Sequence, residues 1–395
     1  MLELRDYQQG GTDLAYEHFM AGKLKDRPII VAPTGSGKSV IVAQLTHLLK
    51  NGVLVLQPSK ELLEQNYAKF GLYGGEASIY SASVGQKEVG SVTFATIGSI
   101  KTKAELFKHI KFILIDECHT VPPKRNSMYI QFLKELQLYS PFRVIGLTAT
   151  PFRLKTYQSP FNGQTFSKLN LLNREEPKFF NKFLHVTQIG ELVARGYLVP
   201  ITYRPLAWDN DRLVVNTTGA EYSDDSMDRE LKRQMVHERI PAVIKQAREK
   251  GRKFQLVFVK NVSDAYDLST RVSNSAFVCA QTKKKDREKI INDFRAGRIK
   301  TIFNVGVLTI GFDFPELDTI VIARPTLSLA LFMQMVGRGI RPAQGKKSCV
   351  LVDMVGNIDR FSKIEDIVFD TDKDGKWRMR AGDKILSGVP IDAIA

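Results

Sequence analysis

Short apolar runs recur along the chain, each followed by a turn and then by a stretch whose apolar residues return every three or four positions. Residues 29–31 form the first such run. After a Gly-rich turn, Ile41, Leu45, Leu48 and Leu49 mark a helix over 40–50. The same alternation predicts strands at 53–57, 91–95, 112–115 and 144–147, with helices at 59–70 and 128–138 and partial helix over 97–109. A helix-rich lead-in covers 2–25. A second series predicts strands at 254–259, 276–280, 301–305, 319–323 and 348–353, with helices at 283–295 and 329–338 between them. Strands alternating with helices specify βαβ units and an α/β fold with parallel sheets. Chemistry then gathers beyond the carboxyl ends of the strands.

Between the series the pattern breaks. Residues 152–205 mix basic side chains (Arg153, Lys155, Lys168, Arg174, Lys178, Lys182) with aromatics (Tyr157, Phe161, Phe166, Phe179, Phe180, Phe183). Phosphate neutralisation and base stacking ask for such a mixture. A connecting segment whose aromatics pack on the first lobe explains it equally well. Residues 209–228 are polar and read as a linker or exposed loop. The charged stretch from 359 onward reads as a hairpin or tail. The division expected is 1–198, 199–360 and 361–395.

Composition narrows the partners. The formal charge of +15 and pI of about 9.5 point to a polyanion, most economically nucleic acid. Cys118, Cys279 and Cys349 are scattered, without a Cys-x-x-Cys pair, so neither a disulfide framework nor a structural zinc site is signalled. A reducing, cytoplasmic setting is expected. The charged N-terminus lacks a signal-peptide apolar region, and no apolar run approaches membrane-spanning length.

The first strand runs into Pro33-Thr34-Gly35-Ser36-Gly37-Lys38-Ser39. Strand, Gly-rich loop and helix start make the geometry of a phosphate-binding loop. The glycines allow a tight turn whose N–H groups face a polyphosphate, and the helix dipole adds to the anion site. Lys38 would reach the β- and γ-phosphates and the Ser39 hydroxyl would ligate Mg²⁺. Asp116 and Glu117 close a later strand of the same series; Asp116 suits the metal and Glu117 the attacking water. His119 is a candidate contact to the second lobe or to the hydrolysis site.

These motifs, with Thr148-Ala149-Thr150-Pro151-Phe152-Arg153 and Gln334-Met335-Val336-Gly337-Arg338-Gly339-Ile340-Arg341, resemble the ordered motifs of superfamily 2 helicases of the DExH branch, most closely the bacterial RadD-type repair helicases or a phage-encoded relative. The resemblance runs from Leu4-Arg5-Asp6-Tyr7-Gln8 to Val355-Gly356-Asn357. It implies two tandem RecA-like domains with ATP and Mg²⁺ in the cleft between them. Arg5 and Gln8 would read adenine. His119, Thr148 and Thr150 would couple hydrolysis to motion. Gly311 and Asp313 would approach the nucleotide from the second domain. Gln334, Arg338 and Arg341 would complete catalysis, Arg341 being the arginine finger. Gln57, Pro58, Ser59, Thr96, Gly98, Lys260 and Thr309 would hold a nucleic-acid backbone. Single-stranded or branched DNA, handled by a monomer in a bacterial or phage-infected cell, is the partner implied; an RNA helicase with the same core is the main alternative. The Cys-rich zinc segment usual in RadD-type proteins is not among these 395 residues. A kinase or switch using the loop alone leaves Asp313, Arg338, Arg341 and the net charge unexplained.

Overall fold

The computed structural model describes residues 3–122, 124, 126–158, 165–308 and 313–391. Thr309 and Gly311 lie outside the described residues. The chain divides into two compact units, Met1–Arg153 with Asn170–Gln188, and Leu154–Leu169 with Ile189–Ala395.

The first unit is built on an eight-stranded sheet in the order Lys182–Val186, Pro28–Val31, Arg143–Thr148, Phe112–Asp116, Val53–Gln57, Val92–Thr96, Ser78–Ser81 and Gln86–Lys87. All neighbours pair parallel except the last two. The central strands are buried at every residue, as parallel strands covered on both faces must be. Helices Lys38–Leu49 and Lys60–Gly71 contribute Ile41, Leu45, Leu63 and Phe70 to the core around Val55, Phe94, Leu114 and Ile145. The register sets Val31 beside Thr148, and Leu147 beside Asp116. The Gly35–Gly37 loop, the acidic pair and Thr148 to Thr150 therefore emerge at one carboxyl edge.

The second unit carries a six-stranded parallel sheet, Ile201–Pro205, Cys349–Asp353, Thr319–Ile322, Gln255–Phe258, Thr301–Asn304 and Ser275–Val278. Beyond it, Ile367–Thr371, Trp377–Ala381 and Lys384–Ile385 form an antiparallel sheet whose first turn is tied by Asp372 to the N–H groups of Asp374 and Lys376.

Three stretches differ from the sequence reading. Among its described residues, which leave out Phe161, the basic-aromatic segment holds a strand pair (Phe152–Gln158 with Thr165–Leu171), a short turn of helix (Leu172–Arg174), an edge strand of the first sheet (Lys182–Val186), the short helix Ile189–Ala194 and the strand Ile201–Pro205 of the second sheet. Phe180 and Phe183 are buried and Arg27 lies over the Phe179 ring, so these aromatics pack on the first unit. The polar stretch 209–228 is not simply a loop: Ser223 caps the helix Asp224–Arg233, which opens with two acids against its dipole. The helix expected over 329–338 stops at Val336, leaving Arg338 and Arg341 in the turn that follows.

Candidate active site

Gly35 and Gly37 adopt φ of +84° and +83°, a region closed to side chains with a Cβ except at a cost. At Gly37 a Cβ would also run into the Gln8 amide. Ser36 turns inward and its hydroxyl donates to the Pro33 carbonyl at 2.7 Å. The Ser36 carbonyl accepts from Gln8 Nε2 at 2.8 Å and from the Tyr7 hydroxyl at 2.7 Å. Gln8 Oε1 accepts from Arg5 N at 3.0 Å. Gln8 thus braces the loop from behind, and Tyr7 joins it. Sequence reasoning passed over Tyr7, because an aromatic on the buried face of Asp6–Met20 reads as ordinary core.

Lys38 opens the following helix, and its ammonium lies 2.9 Å from Asp116 Oδ1 and in closer contact with Glu117 Oε1. Burial alone would lower the Lys38 pKa, but the two carboxylates reverse the shift and raise it above its ordinary value. Burial likewise pushes Glu117 up, and Lys38 with His119 overrides it, holding the carboxyl well below the usual range. Asp116 Oδ1 accepts from Glu117 N at 2.9 Å, and Oδ2 accepts from Asn66 Nδ2 at 2.7 Å. Asn66, wholly buried on Lys60–Gly71, is a second residue that the sequence did not announce.

Glu117 itself sits at φ 47°, ψ 49°, left-handed for a residue with a side chain. This kink turns the chain so that His119 Nδ1 meets Thr148 Oγ1 at 2.8 Å, Thr150 Oγ1 at 3.2 Å and Glu117 Oε2 at 3.2 Å. Arg153 holds the kink from the far side. Its Nε donates to the His119 carbonyl at 2.6 Å, one Nη donates to the Val121 carbonyl, and the other donates to Glu175 at 2.6 Å. The Ala32 amide donates to the Thr148 carbonyl at 3.0 Å, joining the loop to the same strand end. Lys38, Asp116, Glu117, His119, Thr148 and Thr150 therefore form one network, which can hold a polyphosphate, a divalent cation and a hydrolytic water.

In the second unit, Arg341 is ion-paired to Asp313. Arg338 is buried and Gln334 half-buried on Leu329–Val336. Lys346 Nζ donates to the carbonyls of Pro315, Gly339 and Arg341. Of the residues expected to meet nucleic acid, Gln57 and Thr96 are buried at paired strand ends, whereas Pro58 and Ser59 are partly exposed and Gly98 is exposed. Ser59 caps Lys60–Gly71 by accepting from Leu62 N. Lys260 sits against Asp228 at 2.8 Å and Asp224 at 3.2 Å, so a phosphate would have to displace these acids. No helix among the described residues is long and apolar enough to cross a membrane.

Known proteins place both halves. Residues 1–153 match the family model of the type III restriction enzyme res subunit, and residues 233–343 match that of the helicase conserved C-terminal domain. The chain is 27% identical over 343 residues to a 51.5 kDa protein of a Lactococcus phage, covering 83% of this chain and 66% of that protein. It is 23% identical to the putative ATP-dependent helicase IRC3 of Saccharomyces cerevisiae, covering 89% of this chain and 51% of that one. Against the DNA 3'-5' translocase XPB2 of Sulfurisphaera tokodaii it is 26% identical, covering 90% and 82%. The chain thus spans about half to two thirds of the first two relatives. Among solved structures, the fragment of a putative HsdR subunit of a type I restriction enzyme from Vibrio vulnificus has the same fold, with a TM-score of 0.68 at 20% identity over 94% of this chain and 70% of that one. The type ISP restriction-modification enzyme LlaBIII, solved bound to DNA, gives 0.63 at 20% identity, covering 89% and 27%.

Proposed function

We propose that this chain, a superfamily 2 helicase by the two domains it carries, is an ATP-driven DNA translocase that steps along one strand. The observation that carries the reading is the Lys38 ammonium held between Asp116 and Glu117 at the head of the glycine loop. A lysine so placed exchanges its carboxylate partners for the β- and γ-phosphates when ATP arrives. Asp116 and the Ser39 hydroxyl are oxygen donors that fit Mg²⁺, a hard cation that keeps several waters, and the metal would supply charge neutralisation on the phosphates. Glu117, held ionised, accepts a proton from the attacking water, and His119 keeps Glu117 and the two threonines in register.

Arg338 and Arg341, with Gln334, Gly311 and Asp313, are the second unit's contribution to the same ATP, Arg341 contacting the developing phosphoryl charge. Planar guanidinium groups used in this way contribute ~10³–10⁵ in rate. Pro58, Ser59, Gly98, Thr309 and Lys260 offer backbone, hydroxyl and ammonium contacts to phosphates, with Gln57 and Thr96 shaping the strand ends beneath; such contacts read no bases and suit a motor that must be indifferent to sequence. DNA is favoured over RNA by the naming of the archaeal relative. The division at 198/199 and 360/361, a monomeric motor acting on single-stranded or branched DNA, and a role in repair or replication in a bacterial or phage-infected cytoplasm complete the proposal. ATPase activity should rise on adding single-stranded DNA and fall to background in Glu117→Gln. Stimulation by an RNA oligonucleotide but not by its DNA counterpart would move the substrate to RNA, and undiminished turnover in Glu117→Gln would remove the mechanism.

A further inference from the structure

A lysine that donates all three ammonium protons to backbone carbonyls, with no carboxylate among its hydrogen-bond partners, is an unusual use of a charge. Lys346 does this. Its Nζ lies 2.7 Å from the carbonyl oxygen of Pro315, 2.7 Å from that of Gly339 and 2.8 Å from that of Arg341. An ammonium has three donors and no acceptor, so these bonds saturate it. The three carbonyls come from two segments. Pro315 follows Asp313 by two residues, whereas Gly339 and Arg341 belong to the turn after helix Leu329–Val336.

That turn is fixed at other points as well. Gly339 lies so close to Ile320 and Cys349 that a Cβ would collide with both. The Ile340 carbonyl accepts from Val199 N at 2.9 Å. Lys346 then ties the backbone on either side of Ile340 to the stretch that carries Asp313, and Asp313 holds the Arg341 side chain. Side chain and backbone of Arg341 are thereby referenced to the same short segment. A guanidinium that must leave one carboxylate and meet a phosphoryl group needs its Cα held still while the side chain moves, because rate falls steeply with misplacement.

We propose that Lys346 is a positioning residue for Arg341, its ammonium locking the 337–341 turn to the 313–315 segment so that the guanidinium is presented at a fixed place. The inference rests on the reading that Arg341 acts on ATP, and the experiment separates the two. DNA-stimulated ATPase of the full chain is measured for Lys346→Met, Arg341→Ala and the double variant, together with KM for ATP and the affinity for a fluorescent ATP analogue. Lys346→Met should lower kcat by roughly 10- to 100-fold with KM and analogue affinity near those of the parent chain. The double variant should be no slower than Arg341→Ala, since Lys346 acts only through that side chain. Lys346→Gln keeps two N–H donors and should fall between parent and Met; it decides the matter if the Met variant does not fold. Parent-like kcat in Lys346→Met beside an inactive Arg341→Ala overturns the role of Lys346 alone. So does a double variant whose loss is the product of the two single losses. Parent-like kcat in Arg341→Ala overturns the reading of Arg341 and takes this proposal with it.

Discussion

Replacing Lys38 with methionine should do more than abolish nucleotide binding: it should destabilise the nucleotide-free first unit by about 3 kcal/mol. In the parent chain the ammonium is the counter-charge of two adjacent carboxylates, and the Asp116 side chain is only 2% exposed, Glu117 17%. Removing one partner of a buried pair costs about 3–5 kcal/mol because the remaining charge stays desolvated. The lower end applies here, since Asp116 keeps Asn66 and Glu117 keeps His119. For a unit of this size such a loss corresponds to a drop of roughly 6–12 °C in its melting transition. Calorimetry of the apo protein reads it directly. Both tryptophans, Trp208 and Trp377, belong to the second unit, so their fluorescence follows that unit's transition separately from the first's. The acid side adds a second signature. Glu117 is depressed below its ordinary 4.5 by Lys38, so the stability it contributes is present above that value and lost on acidification. Parent and variant curves should therefore converge at low pH. Adding Glu117→Gln to Lys38→Met should recover part of the loss at neutral pH. An unchanged first-unit transition in Lys38→Met would refute the idea that this ammonium neutralises both carboxylates.

Arg153→Met should lower the first-unit transition by removing the ion pair it makes with the buried Glu175 carboxylate, and Glu175→Gln in the same background should restore part of it; calorimetric double-mutant coupling of about 0.5–3 kcal/mol is expected, and simple additivity would mean the pair is not coupled. Lys346 is pushed down to about 8, chiefly by burial, with Cys349, Asp318, Arg341 and Glu316 as its charged surroundings. Raising the pH from 7 to 9 should therefore reduce kcat with an inflection near 8 that Lys346→Met lacks. Second-unit stability should rise over pH 8–9, because the unfolded lysine still binds the proton that the folded one has lost. Above that range the buried Cys349 thiol, pushed up to about 12, acts in the opposite sense.

The alternation of apolar runs located most of both parallel sheets, because a buried strand must be apolar whatever its neighbours are. The tight glycine turn after the first strand and the place of Asp116 and Glu117 at a strand end were legible for a related reason: their spacing is dictated by local backbone geometry. What stayed hidden is held by contacts distant in sequence. Asn66 looks like any polar residue in a helix until Asp116, fifty positions later, is brought against it. Arg153 ends the Thr148-to-Arg153 motif, yet nothing local says that it closes on two carbonyls behind His119. The Lys182–Val186 strand was masked by a composition that also suits nucleic-acid contact, and only pairing with Pro28–Val31 reveals its place. Gln8, expected to read adenine, has its amide turned to the loop in this structure, a use that spacing does not foretell.

The path of the chain between the units sets a limit on how such a protein can be taken apart. It passes from the first to the second after Arg153, returns after Leu169 and leaves again after Gln188. On the outward excursion Thr156 and Ser167 fasten to the carbonyls of Thr218 and Gly219. A single scission therefore cannot separate the two units so that each keeps all of its own residues and none of the other's. Fragments cut between helix Ile189–Ala194 and strand Ile201–Pro205 would strand the 154–169 ribbon on the wrong piece, exposing hydroxyls made to meet a backbone that has gone. Lobes stitched three times over cannot be parted like beads on a string.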